Sequence, residues 1–400
     1  MTDTDHSAED VVGGSATPWL SVVLPCWNAE ESIERAMRSV LETRSIELEC
    51  VVIDDASTDA TVEVAASLAA DDDRVVLLRQ PAHQGVSAAR NRGLREVRGQ
   101  WLTFLDADDR YLPGGLELLA RAASASDADA VIGQQVWSDG ARTWIGPLYD
   151  IPDIRVPGRK SLAANPGLLY YVSPHAKVFR RAPVAELEFS GRVQGDQEWV
   201  IRALLRAGDR IEVLEDTVYE WYRPAKSRSI TGVARSSTSG GIEATHVAVK
   251  AFRAVSREAD AHLDAHRRDI VLTRYVERLF RSDLGAHIGN AIGRSDPTSA
   301  ELLDAVRSFV ADVPAPYLAR SDSLVRDILE PTLYRLRRLD LPGRAAYWRL
   351  FETGRRRDPA LHRKGTNRLS RLALRVATWH PARIAHRAAR FLMRRALGSE

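Results

Sequence analysis

Three aspartates crowd one turn of the chain: "FLDADDR" places Asp106, Asp108 and Asp109 directly after an apolar run. Carboxylates this close repel and raise one another's pKa, so the cluster is costly unless a cation or hydrogen-bond donors offset it. The residue types suit a hard divalent cation, Mg²⁺ or Mn²⁺, held by one or two carboxylates and completed by phosphate oxygens. A hydrated turn is the plainer reading, since Asp favours turns for local reasons alone. A second pair of acids, Asp54 and Asp55, also follows an apolar run, "LECVVIDD". Asp196 opens "GDQEWVIRALLRAG", where an acid can cap a helix or act as a general base.

The elements that must position these acids are legible from periodicity. "LSVVLP", "LECVVID", "RVVLLRQP" and "QWLTFLDA" read as buried strands, and "AEESIERAMRSVLETR", "TDATVEVAASLAA" and "GVSAARNRGLREV" as helices between them. Ser57 or Thr58 is the expected N-cap of the second helix. Strands alternating with helices predict an α/β fold with a mostly parallel sheet flanked by helices. Ligands of such sheets bind beyond the strands' carboxyl ends, where Asp54, Asp55, Asp106 and Asp108 fall. Beyond residue 130, "ADAVIGQQVW" and "RIEVLEDTVYEWY" add strands, and the "GDQEWVIRALLRAG" helix stops at Gly208. From about residue 241 the pattern is helical throughout. The expected organisation is a loose segment 1–18, an α/β domain 19–240 with halves 19–116 and 117–240, and a mainly α-helical C-terminal domain 241–400 with a basic tail.

Four motifs occur in order: "SVVLPCWNAEESIERAMRSVL", "ECVVIDDASTDATVEV", "HQGVSAARNRGL" and "WLTFLDADD". Together they resemble the nucleotide-binding half of family-2 glycosyltransferases, of GT-A (Rossmann-like) fold, over residues 20–240. The resemblance implies an inverting, metal-dependent transfer of a sugar from a nucleotide sugar, most simply a UDP-sugar. Pro25, Trp27 and Asn28 stand where the family has P-x-Y-N, so Trp27 is expected against the base; core packing is the alternative for such an aromatic. Asp55 matches the base-binding aspartate, and Asp54 equally suits a structural cap. Gly85, Arg90 and Asn91 lie in the stretch beside the nucleotide, although surface arginines are the norm and a solvated face would also suit Arg90. In the D-x-D, Asp106 is assigned to the ribose and metal, Ala107 to the donor site and Asp108 to the metal, with Asp109 left to shape the loop. Asp196 matches the family's general base and Arg202 its trailing arginine, but Gly195 replaces the usual Glu; Glu198 is the fallback base. His175, in "SPHAKVFRRA", is placed near metal or acceptor, or in a structural role. Arg228, in "RPAKSRSITG", is assigned to a loop closing over the diphosphate, because arginine forks suit phosphate oxygens.

Composition narrows the rest. The 400 residues are ordinary for a globular protein, with net charge +2 and two cysteines, which fits a reducing, cytosolic setting without a disulfide framework. The N-terminus has no apolar core of a signal peptide, and no run approaches the ~20 apolar residues of a membrane helix. From residue 353 onward only Asp358 and Glu400 are acidic. Arg383, Arg387, Arg390 and Arg394 share a helical stripe, so the tail is expected either on an anionic membrane surface as a peripheral contact or docked on its own domain. No nucleic-acid module accompanies it. The expected partners are the nucleotide sugar and a cell-wall, capsule or lipid-linked glycan, with the oligomeric state open. A nucleotidyltransferase would need a Gly-rich phosphate loop that "LPCWNAEE" lacks. A carbohydrate-binding scaffold would have no use for Asp108 together with Asp196.

Overall fold

A computed structural model describes residues 17–191, 195–223, 238–285, 287–288 and 297–320. The segment 1–16, the loop carrying Arg228 and the basic tail with its expected membrane contact lie outside the described residues. The chain forms two compact units. The first draws on Met1–Lys160, Ser173–Arg192 and Asp209–Ala225, the second on Ser161–Val172, Val193–Gly208 and Lys226–Glu400.

The first unit is built on a sheet. Its strands are β1 (Leu20–Cys26), β2 (Leu48–Asp54), β3 (Val75–Arg79), β4 (Trp101–Phe104), β5 (Arg110–Tyr111), β6 (Ala130–Ser138), β7 (Thr143–Ile145), β8 (Gly158–Lys160), β9 (Lys177–Arg180) and β10 (Ile211–Tyr222). They run β3-β2-β1-β4-β9-β6-β10-β5, with β7 paired to β6 and β8 to β10. β1, β2, β3 and β4 are parallel neighbours, and β6 is parallel to β10. β9 is antiparallel to both β4 and β6 and so joins the two halves. Every residue of β1 and β2 is buried, as expected of parallel strands covered on both faces.

Helices α1 (Ile33–Leu41), α2 (Thr61–Asp71), α3 (Val86–Glu96) and α4 (Gly115–Ala125) cover the sheet. α1 buries Ile33, Ala36, Met37, Val40 and Leu41, the i, i+3, i+4, i+7, i+8 stripe of an amphipathic helix. The N-cap expectation for α2 is corrected. The helix starts at Thr61, where Asp59 accepts from the Thr61 N–H at 3.1 Å and Glu30 from the Ala60 N–H at 2.9 Å. The Ser57 hydroxyl is taken by the Asn28 N–H at 2.9 Å. α3 lies so close to β1 and β2 that a Cβ on Gly93 would come within 2.6 Å of Val23 Cγ1 and 2.8 Å of Ile53 Cδ1. Gly93→Ala is therefore expected to destabilise the protein by about 1–3 kcal/mol through overpacking, exceeding the helix-propensity gain of about 0.5–1 kcal/mol. An unchanged or raised urea midpoint would show the contact to be slack.

The chain leaves β1 towards β2 and β3 on one side and reaches β4 on the other. The carboxyl ends of β1 and β4 therefore flank a reversal of strand order, where open α/β sheets bind ligands.

Two one-turn helices, α5 (Pro152–Arg155) and α6 (Arg181–Val184), complete the first unit. The second unit is helical: α7 (Gly195–Ala207), α8 (Thr238–His262), α9 (Ala265–Arg278), α10 (Pro297–Asp312) and α11 (Ala315–Arg320). The helix that starts at Asp196 thus groups with the C-terminal helices rather than with the sheet. Trp199, Val255, Tyr275, Phe280 and Phe309 form part of its core. Gly208 ends α7 at φ +60°, the left-handed conformation that glycine adopts without strain. No helix among the described residues is long and apolar enough to cross a membrane.

Candidate active site

Two loops at the β1 and β2 ends lock together first. Asn28 takes φ +48° and Ala56 φ +60°, tight turns that let the Asn28 side-chain oxygen accept from the Thr58 N–H at 2.9 Å. Asp54 accepts from the Ser57 N–H and pairs with Arg79, so it is a cap. Asp55 is buried and meets four donors: Gln80 Nε2 at 2.6 Å, the Gln84 and Gly85 N–H groups at 2.8 and 2.7 Å, and His83 Nδ1 at 2.9 Å. A carboxylate has about four lone-pair sites. A base N–H can therefore reach Asp55 only by displacing a side chain such as Gln80 or His83. Gly85, at φ +93°, turns the loop so that its N–H reaches Asp55. Pro25 lies buried within β1. Trp27 is 45% exposed and stacks on His83 with centroids 4.2 Å apart, a flat aromatic surface beside the Asp55 loop. The core alternative for Trp27 does not hold.

The acid turn follows β4. Arg90, far from lying on a solvated face, is buried; its Nη2 donates to Asp106 Oδ1 at 2.7 Å, and its guanidinium lies 5.3 Å over the Phe189 ring. Asn91 faces elsewhere: its amide donates to the Phe189 carbonyl at 2.9 Å and accepts from the Phe189 N–H at 2.7 Å. It staples α3 to that segment, and Arg90 alone of the pair reaches the acids. Burial would raise the Asp106 carboxyl, but the Arg90 guanidinium, through its charge and its hydrogen bond, outweighs it and holds the group below the usual carboxylate range. Ala107 is half-buried between the two acids. Asp108 is solvent-exposed yet closely surrounded, and desolvation followed by the Asp106 charge pushes it up to about 6.

Asp109 is fully buried. It accepts from the Tyr219 hydroxyl at 2.8 Å and from the Tyr222 N–H at 2.7 Å, which anchors the turn to β10. Desolvation, then Asp108 and Asp106, raises its carboxyl well above the ordinary range.

His175 completes the arrangement. Its buried ring stacks on Tyr219 with centroids 4.4 Å apart, and its Nδ1 lies 3.8 Å from Asp106 Oδ2. Among the described residues, neither ring nitrogen has a hydrogen-bond partner. Desolvation lowers its pKa to about 3, so the imidazole is neutral and able to donate a lone pair. Among the described residues, Asp106, Asp109 and His175 bring ligand atoms within 4.8 Å of one another. The expected pair was Asp106 with Asp108; Asp108 stands outside this group, because the tyrosines draw Asp109 inward instead. An orphaned buried imidazole beside a carboxylate fits a divalent cation. Carboxylate oxygens with one imidazole favour Mn²⁺ over the all-oxygen preference of Mg²⁺.

In the second unit, Asp196 is half-buried in the first turn of α7 and accepts from the Gln197 N–H at 3.1 Å. Glu198 is buried and pairs with Arg202 at 3.3 Å, and Arg202 also bonds Glu258 at 2.8 Å. Arg202 thus serves the helix packing.

The family model for glycosyl transferase family 2 matches residues 21–188, the span that carries Trp27, Asp55, the acid turn and His175. The segment 21–188 belongs to that family. Over 108 residues the chain is 39% identical to the GalNAc(5)-diNAcBac-PP-undecaprenol β-1,3-glucosyltransferase of Campylobacter jejuni, covering 27% of the chain and 35% of the relative. It is 36% identical over 132 residues to the uncharacterised glycosyltransferase YibD of Escherichia coli, covering 32% and 38%. The chain therefore spans little more than a third of the length of these curated relatives. Across 84% of the chain and 92% of the other, the chain superposes on TarS 1–349 of S. aureus in complex with UDP-GlcNAc, at TM-score 0.68 and 21% identity. The shared fold is GT-A.

Sequence reasoning missed His83, Gln80, Tyr219 and Tyr222. Periodicity carries no signal for them, since each acts through a partner brought close only by the sheet.

Proposed function

We propose that the chain is an inverting glycosyltransferase that moves one sugar from a UDP-sugar to a hydroxyl of a cell-wall, capsule or lipid-linked glycan on the cytoplasmic side of the membrane. The carrying observation is the unpartnered His175 facing Asp106 at the reversal of strand order, with the Trp27–His83 surface on the neighbouring loops. TarS bound to UDP-GlcNAc supports a uridine donor, and the Campylobacter relative's name supports a lipid-linked acceptor.

Trp27 and His83 face the base, and displacement of Gln80 or His83 lets Asp55 accept the imide N–H. Asp106 and His175, with the exposed Asp108, hold a divalent cation, for which we favour Mn²⁺. When bound, that cation supplies Lewis-acid stabilisation of the departing diphosphate. Arg90 keeps Asp106 ionised. Asp196 is assigned as the base that takes the acceptor proton, because Glu198 is occupied by Arg202. The Arg228 loop as a phosphate clamp and the basic tail as a membrane contact remain proposals of the sequence.

The test is UDP release from a panel of UDP-sugars with Mn²⁺ or Mg²⁺, beside UDP affinity by calorimetry. Turnover several-fold faster with Mn²⁺ is expected. A protein that neither binds UDP nor hydrolyses any nucleotide sugar would refute the reading.

A further inference from the structure

Three tryptophans stand in one register row across three neighbouring strands. Trp144 on β7 is the direct partner of Trp137 on β6, and Trp137 is the direct partner of Trp221 on β10. Directly paired residues project from the same face of a sheet. The rings confirm it: Trp137 meets Trp144 with centroids 6.3 Å apart and Trp221 at 5.4 Å, each at 79°. The Arg223 guanidinium lies 4.7 Å over Trp137 and 5.3 Å over Trp221. Gly146 fits the chain against this row, since a Cβ there would come within 2.8 Å of the Trp137 ring.

The row has an outer and an inner end. Outside, Trp144 is 38% exposed and Ile145 56%. Inside, the Trp221 ring centroid is 6.0 Å from that of His175, which faces Asp106. The aromatic surface is thus continuous with the acid site. It lies on the opposite side of the acid turn from the Trp27 loops in strand order. A core would bury these rings, and a fold needs no exposed tryptophan in line with two others.

We infer that the Trp144–Trp137–Trp221 row, with Arg223, is the binding surface for the acceptor glycan. This rests on the glycosyltransferase reading and names the place of its second substrate. Pyranose rings present apolar C–H faces ringed by hydroxyls, which match flat indole faces, while an arginine fork bonds hydroxyls or a phosphate of the glycan. An acceptor hydroxyl must arrive within about 3–3.5 Å of the reacting carbon. Sugars adjoining that hydroxyl therefore need a surface that starts at the acids, as this row does. The row runs inward through Trp221 to His175 and the acids, an extension that a membrane surface would not require and a glycan being delivered to those acids would.

The experiment compares wild type with Trp144→Ala, Trp144→Phe and Trp221→Ala on an array of purified bacterial cell-wall and capsule glycans. UDP affinity in Mn²⁺ is measured on the same preparations. The wild type is expected to hold one glycan class, and each alanine variant to bind it at least tenfold more weakly, about 1.4 kcal/mol. Trp144→Phe should restore most of the binding, with UDP affinity unchanged throughout. Glycan binding within twofold of wild type in both alanine variants overturns the inference. So does a wild type that binds UDP but no glycan, or one that binds phosphatidylglycerol vesicles through Trp144 instead. Loss of UDP binding in the wild type itself would count against the enzyme reading, a separate result.

Discussion

Asp106→Asn is expected to lower sugar transfer about 10³-fold, the equivalent of roughly 4 kcal/mol of transition-state stabilisation. Asparagine keeps a carbonyl oxygen for Arg90, so the fold loses only the charge component of a pair whose acid side chain is 32% exposed. Two cationic or cation-seeking groups lose their counter-charge at once: the buried Arg90 and the neutral His175. Affinity for Mn²⁺ should fall with the rate, and calorimetric titration of Mn²⁺ in the presence of UDP measures it directly. A rate loss without weaker Mn²⁺ binding would place Asp106 on the sugar or ribose alone. Wild-type turnover in Asp106→Asn would remove the acid turn from the chemistry altogether.

Asp196→Asn should lose roughly 10²–10⁴-fold in kcat, the usual worth of a positioned general base, while UDP affinity stays the same. The nearby carboxylate makes the contrast. Glu198 is buried in a chain of ion pairs with Arg202, and Arg202 shares Glu258 with Arg206. Removing one charge from a buried pair costs stability, with about 3–5 kcal/mol as the upper range for fully buried cases. Glu198→Gln should therefore lower Tm and leave kcat within a few-fold of wild type. The opposite pattern, an inactive but stable Glu198→Gln beside an active Asp196→Asn, would move the base by two positions.

The first hundred residues were readable because their structure is local. Each βαβ step carries its own evidence: a fully apolar run such as Leu20–Cys26, then a helix whose stripe repeats at 3.6 residues. The acids fall at strand ends for the same reason. What could not be read is pairing. Nothing in "KVFR" announces that Lys177–Arg180 runs antiparallel between β4 and β6, yet this insertion sets His175 beside Asp106. Asp109 illustrates the limit. Its sequence neighbours are acids, and its burial depends on Tyr219 and Tyr222 from a strand far along the chain. Asp55 was found by motif, but its four partners were hidden, since Gln80 and His83 look like ordinary loop residues.

The long reach of those tyrosines has a consequence for synthesis. Tyr219 and Tyr222 lie 110 and 113 positions after the aspartate they satisfy. At about 5–20 residues per second, roughly 5–20 s pass between the ribosome's release of the acid turn and the arrival of its donors. The strands β1, β2 and β3 can already pair in that interval, because each is separated from the next by a single helix, whereas contacts of high sequence separation form late. The nascent chain therefore carries paired β1–β3 strands ahead of an unanchored acid turn, which is fixed only when β10 docks.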